Sequence, residues 1–155
     1  MIGDVLTSSI LFEVLRKEFP ASELHYLVNS NTIPVILNNP FIDKIIPFTP
    51  EIENSKVLFK RLRKKIFKTK YYIVIDVYSK LSSAWISVSS GAKYRLSYFK
   101  WYTSMLYTHT YRKKRKSKTD LGLAIDNRLL LLQSLIPIDK LKPKPKIFLT
   151  KKEIN

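Results

Sequence analysis

At 155 residues the chain is long enough for one domain with its own core, burying about 68–70% of the surface that its unfolded form exposes. It has no cysteine and only two histidines, His25 and His109, which excludes a disulfide framework and a thiolate metal site and leaves too few imidazoles for zinc. The 28 basic residues outnumber the 12 acidic ones, and the net charge of +16 attracts polyanions: nucleic acid, an anionic membrane face or a phosphorylated glycolipid.

In chain order, Val5 to Phe19 carries apolar residues at helical spacing (Leu6, Ile10, Leu11, Val14, Leu15), with Asp4 or a neighbouring hydroxyl to cap it and Pro20 to stop it. Asp4 also stands where a signal peptide would carry positive charge. Leu24 to Val28 is a short strand, Asn29-Ser30-Asn31 a turn and Thr32 to Leu37 a short helix broken by Asn38-Asn39-Pro40. Lys44 to Phe48 is a second strand. Ser55 to Lys68 is a strongly basic helix with Val57, Leu58, Leu62 and Ile66 on its apolar face. Tyr72-Ile73-Val74-Ile75-Asp76 is an apolar run ending in a carboxylate, the pattern of a parallel strand whose carboxyl end faces a site. A helix from Leu81 closes at Ser89-Ser90-Gly91, and Ala92 to Leu96 is a further strand. Tyr98 to Thr119 reads as an extended loop, with room for a helical piece, in which aromatics precede Arg112-Lys113-Lys114-Arg115-Lys116, and Leu121 to Leu135 reads as a helix. No apolar run reaches the roughly 18 residues that span a bilayer. Strands alternating with helices at this spacing predict an α/β fold with a parallel sheet and flanking helices.

Several of these segments, in order, resemble the N-terminal domain of the family 9 glycosyltransferases, the ADP-heptose:lipopolysaccharide heptosyltransferases and their relatives. They are Gly3-Asp4-Val5-Leu6 with Ser8-Ser9, the stretch Asn39-Pro40-Phe41-Ile42-Asp43-Lys44-Ile45, the strand ending at Asp76 with Ser83-Ala84 after it, and Gly91-Ala92-Lys93-Tyr94-Arg95. The resemblance covers roughly residues 1–100. It departs from the family pattern at Thr7 and Ile10, and at Ser82, where a lysine is common; Lys80 is the nearest substitute.

The resemblance implies two Rossmann-like domains with a cleft between them, the N-terminal one binding the acceptor and the C-terminal one the nucleotide-sugar donor. It implies Asp4 as the general base that deprotonates the acceptor hydroxyl, with Gly3, Ser8, Lys80, Ser83 and Arg95 on the acceptor side, no metal, and no cofactor beyond the nucleotide-sugar substrate. Residues 1–137 would form an acceptor domain lacking its first strand, and 138–155 a linker toward an absent donor domain. Such a chain would be an inactive fragment of an enzyme working on a lipid-linked surface-glycan acceptor such as lipopolysaccharide, at the cytoplasmic membrane face. With the first strand gone, strands 24–28 and 72–76 should flank a gap or collapse onto one another, and the chain should fold poorly or aggregate.

Each residue also has a plainer reading. Asp4 also reads as a helix-end charge, Asp76 as a cap for the next helix, Lys80 and Ser83 as ordinary first-turn residues, and Arg95 as a solvated or phosphate-facing charge. The aromatic and basic stretch 98–118 suits a membrane interface, single-stranded nucleic acid or a solvated loop. A nucleic-acid-binding module is therefore the second functional reading, although no RNP, zinc-finger or helix-turn-helix pattern is present.

Overall fold

The computed structural model describes residues 2–154. Five short strands form, all of them in parallel pairs: β1 (His25–Asn29), β2 (Lys44–Phe48), β3 (Ile73–Asp76), β4 (Tyr94–Tyr98) and β5 (His109–Tyr111). Parallel neighbours need crossovers, and helices supply most of them. α2 (Pro50–Asn54) and α3 (Lys56–Thr69) join β2 to β3, and α4 (Leu81–Ser89) joins β3 to β4. A 3-10 turn at Ser30–Val35 lies between β1 and β2, and another at Ser104–Leu106 between β4 and β5. α1 (Ile2–Glu18) precedes the strands; α5 (Leu123–Leu130) and α6 (Lys151–Ile154) follow them.

The fold class is thus the α/β arrangement that the sequence predicts, with elements displaced by a few residues. Four corrections are physical. Gly3 and Asp4 lie within the first turn of α1, which starts at Ile2, rather than in a turn before it. The helix expected at Thr32–Leu37 is the 3-10 turn Ser30–Val35, which holds Pro34 and leaves no room for a longer ladder. The stretch expected as a loop contains β5. The Leu-rich helix ends at Leu130, because amides 131, 132 and 133 bond three residues back, to Arg128, Leu129 and Leu130, in tightened turns.

The strands fall into two sheets, β1-β2 and β3-β4-β5. Among the described residues no strand pairs with the second edge of β1 or of β3, so the expected gap is present and the two have not collapsed together. Their apolar residues are correspondingly half-buried: in β3 only Asp76 is fully buried, and in β1 only Val28. The start of β1 is nevertheless tied to the approach to β3, since His25 Nδ1 lies 2.6 Å from the Tyr71 hydroxyl.

α1 serves both sheets. Ile10, Leu11 and Val14 pack with Leu129, Leu132 and Ile136, and Ile75 of β3 lies against this cluster. Val5 packs with Val28 of β1 and Ile36, and the Phe12 ring sits 4.7 Å from Tyr26. Burying each such side chain contributes about 1.5–3 kcal/mol. A third cluster joins Leu62 and Ile66 of α3 to Ile46 of β2 and Ile86 of α4.

The Asn39–Ile45 stretch ties α1 to the approach to β1. Asn39 Oδ1 accepts from the Phe41 amide at 2.9 Å. Asp43 Oδ2 accepts from the Leu24 amide at 2.7 Å and from Arg16 of α1 at 2.5 Å, and these two donors, the amide first, hold its carboxyl below the usual range. Residues 138–146 run along α1, and the segment after them passes the 38–41 stretch. Ile138 and Leu141 pack against the core of α1, Lys146 Nζ is 3.2 Å from the Glu13 carboxylate, and the Phe148 ring is 6.1 Å from Phe41. Met1 and Asn155, the outer ends of the expected domain and linker, lie outside the described residues.

Candidate active site at the carboxyl edge

All strands of a parallel sheet end on one edge, and ligands bind there in open α/β folds. In β3-β4-β5 that edge is marked by Asp76, Tyr98 and Tyr111. Asp4 stands on the same side. Its Oδ1 is 3.6 Å from the Arg128 guanidinium, and its side chain is 51% exposed whereas that of Arg128 is 9% exposed. Arg128 is fixed from behind: Nε donates to Ser8 Oγ at 2.9 Å, and Nη1 donates to the Tyr98 hydroxyl at 3.2 Å. That hydroxyl in turn donates to the Asn127 carbonyl at 2.5 Å. A guanidinium held at two of its nitrogens leaves the third, Nη2, facing the carboxylate.

The loop after β3 also approaches Asp4. Tyr78 is half-buried, and its phenol is raised by burial first and by the negative charge of Asp4 second. Asp4 therefore lies near Tyr78 of the 76–83 segment, on the edge where Asp76 ends β3. Lys113 sits 4.6 Å above the Tyr98 ring; burial, then Arg128 and then Lys100, lower its ammonium pKa. Asp4 is thus an exposed carboxylate facing Arg128, close enough to Lys113 for its charge to act on that ammonium.

The remaining expected residues divide. Lys80 is the N-cap of α4, and its Nζ lies 5.4 Å from the Tyr78 ring centre, beside the site. Ser83 Oγ accepts from the Lys80 amide at 3.1 Å, so that hydroxyl is engaged in closing the end of α4. Ser8 is buried against Arg128 and positions it rather than facing a ligand. Gly3 is exposed, and an added Cβ would meet nothing within 4 Å. Arg95 is not brought to the site: it lies opposite Val74, and its guanidinium donates to the Ala92 carbonyl at 2.9 Å and to the Leu106 carbonyl at 3.1 Å. Asp76 does cap. It accepts from the Tyr78 amide at 2.9 Å, the Ser79 amide at 3.1 Å and the Tyr107 hydroxyl at 2.5 Å.

The sequence reading missed Arg128, Tyr98, Lys100 and Lys113. A signal for the first was available, since Asp126-Asn127-Arg128 interrupts a Leu-rich helix and all three are buried. Two surface hollows lie elsewhere. One of about 470 Å³ is lined by Arg61, Lys64, Lys65, Lys68 and Thr69, and one of about 360 Å³ lies between α1 and residues 140–146. Asp4 is reached from an open edge and lines neither of them. Among the described residues no cluster of His, Asp and Glu suits a metal ion.

No family model matches the sequence. It is 30% identical over 150 residues to a protein of Haemophilus influenzae described as a "Putative glycosyltransferase", an alignment covering 95% of this chain and 43% of that protein. Its fold is similar to that of a family 9 glycosyl transferase from Veillonella parvula, with a TM-score of 0.79, 20% identity, and coverage of 98% of this chain and 43% of the other. The E. coli heptosyltransferase WaaC, solved with ADP, gives a TM-score of 0.73 at 15% identity, covering 95% of this chain and 48% of the other. The chain spans less than half the length of each of these proteins. It therefore carries the fold of part of a family 9 glycosyltransferase, and its sequence is related to that of the Haemophilus protein along almost its entire length.

Proposed function

We propose that this chain is the acceptor-binding part of a glycosyltransferase, with Asp4 as the general base. The observation that carries the proposal is the position of Asp4: exposed, on the carboxyl edge of a parallel sheet, and faced by an arginine whose other contacts are fixed. An inverting transfer needs a carboxylate beside the attacking hydroxyl. The oxygen attacks the anomeric carbon, its proton passes to the carboxylate, and the nucleotide leaves with the electron pair of the broken bond. Arg128, Lys113 and Lys100 suit an acceptor that carries phosphate or carboxylate groups, such as a lipopolysaccharide core. Lys80 extends the same cationic surface. The donor is a nucleotide-sugar held outside these 155 residues, and the work is done at the cytoplasmic face of the inner membrane.

The test is a chimera in which the chain is joined to the remaining part of the Haemophilus relative. Nucleotide release and sugar transfer are measured with lipid-linked acceptors. The chain alone should give no transfer, because proximity of donor and acceptor supplies much of the rate. The chimera should be active, and Asp4→Asn should lower its kcat by about 10²–10⁴-fold with little change in acceptor KM. An active chimera with an unimpaired Asp4→Asn variant would remove the assignment.

A further inference from the structure

The segment that follows β4 exposes apolar surface that no contact within the fold explains. Trp101 is 83% and Met105 87% exposed, and Phe99 and Tyr102 are also exposed. The 3-10 turn that holds Met105 packs on α4, which itself presents Leu81 and Trp85 to solvent one helical turn apart.

This tip is rigid. Thr103 at its centre is fully buried, and its Oγ1 donates to the Ser79 carbonyl at 3.2 Å. Lys100 Nζ donates to the Tyr78 carbonyl at 2.8 Å, and the Ser104 amide to the Lys100 carbonyl at 2.9 Å. The Trp101 and Tyr102 rings meet edge to face at 5.5 Å. A buried anchor therefore holds large apolar side chains out in water.

Basic residues stand directly behind them. The Phe99 amide donates to the Tyr111 carbonyl at 2.8 Å, and the Arg112 guanidinium lies 4.1 Å from the Phe99 ring centre. That contact brings the start of the run Arg112-Lys113-Lys114-Arg115-Lys116 to the base of the tip. Aromatic rings at headgroup depth with lysine and arginine behind them are what an anionic bilayer surface accommodates. Among the described residues no helix is long and apolar enough to cross a membrane, so the match is to contact with the surface.

We propose that Trp101, Tyr102 and Met105 form a membrane-docking tip that inserts at the headgroup level of an anionic phospholipid leaflet, with residues 112–116 as its electrostatic collar. The inference deepens the glycosyltransferase reading by specifying how the chain meets the surface that holds its acceptor. It is tested without donor or acceptor, so either proposal can fail alone.

The experiment is co-sedimentation of the 155-residue chain with vesicles of phosphatidylcholine, with and without about one quarter phosphatidylglycerol, at about 0.1 M salt. Binding should require the anionic lipid. Trp101→Ser with Met105→Ser should weaken it by about tenfold or more. Both residues are exposed, so the circular dichroism spectrum should not change. Replacing Arg115 and Lys116 by glutamine should cost about fivefold for each charge near the surface. The only other tryptophan is Trp85. In Trp85→Phe, the emission of Trp101 should shift to the blue on binding and be quenched by lipids brominated near the headgroup. No preference for anionic vesicles, or binding that survives loss of the apolar tip, would overturn the proposal. So would quenching of Trp101 by a single-stranded oligonucleotide that displaces the vesicles, which would mark the tip as a stacking platform.

Discussion

Asp126 shows how a buried carboxylate is made safe at the level of one residue. It is 3% exposed. The Thr119 and Ser117 hydroxyls and the Lys118 amide all donate to it. Burial pushes its pKa up, but these donors outweigh burial and bring the carboxyl down to about 2. An unfolded aspartate titrates near pH 3.9. The depressed folded value means that the ionised group stabilises the fold above about pH 4, and that this contribution is lost as pH falls toward 2. Urea midpoints measured from pH 5 to pH 2 should fall steeply in the native chain. In Asp126→Asn they should start lower and decline less across that window.

The legibility of single residues follows the same logic. Asp4 could be picked out because a carboxylate at a helix start has few roles and the resemblance supplies one of them. Arg128 stands out in the sequence only as a charge in a Leu-rich stretch; its place comes from Ser8, Tyr98 and Asp4, which are 120, 30 and 124 positions away in the chain. The resemblance puts Ser8 on the acceptor side, but its hydroxyl faces inward to Arg128. Whether a side chain turns toward ligand or toward core depends on packing that a linear pattern does not contain.

At the scale of elements, strength of local signal decided what could be read. β3 is an unbroken apolar run and α3 is amphipathic, and both lie close to where the sequence puts them. β5 has three residues, His109-Thr110-Tyr111, with no apolar run; it exists because Leu96, Ser97 and Tyr98 offer it an open edge. The Leu-rich stretch was expected to be one helix, but it begins after Gly122, whose φ of 97° lies in the glycine-favoured region, and ends in tightened turns. Those turns still carry the core, since Leu131 and Leu132 are fully buried. Leu132→Ala should therefore destabilise the fold by about 2–5 kcal/mol, as large-to-small core changes do. The exposed Leu123→Ala should cost far less. Denaturant melts of the two variants compare them directly.

On the scale of the whole molecule, the division into two sheets matters most. The sequence pattern established parallel strands, and the resemblance placed a gap between β1 and β3. Composition and periodicity alone would have allowed one continuous sheet. Each of these strands keeps one edge without a strand partner among the described residues. Open edges are templates for pairing with other chains, and proteins suppress this with charge, bulges or cover. The suppressor available here is bulk charge: molecules carrying +16 repel one another at a distance.

That repulsion has a range set by the solvent rather than by the protein. The screening length is about 30 Å at 0.01 M salt and about 3 Å at 1 M. In dilute buffer charge repulsion opposes the close approach that strand edges need, and strong salt removes that repulsion. Colloidal stability should therefore run opposite to the usual advice for a basic protein. Light scattering should report mostly monomer at low ionic strength and growing assemblies as sodium chloride rises, with thioflavin fluorescence increasing in step if the contacts are edge to edge. Assemblies that dissolve on adding salt would instead trace to ionic cross-linking.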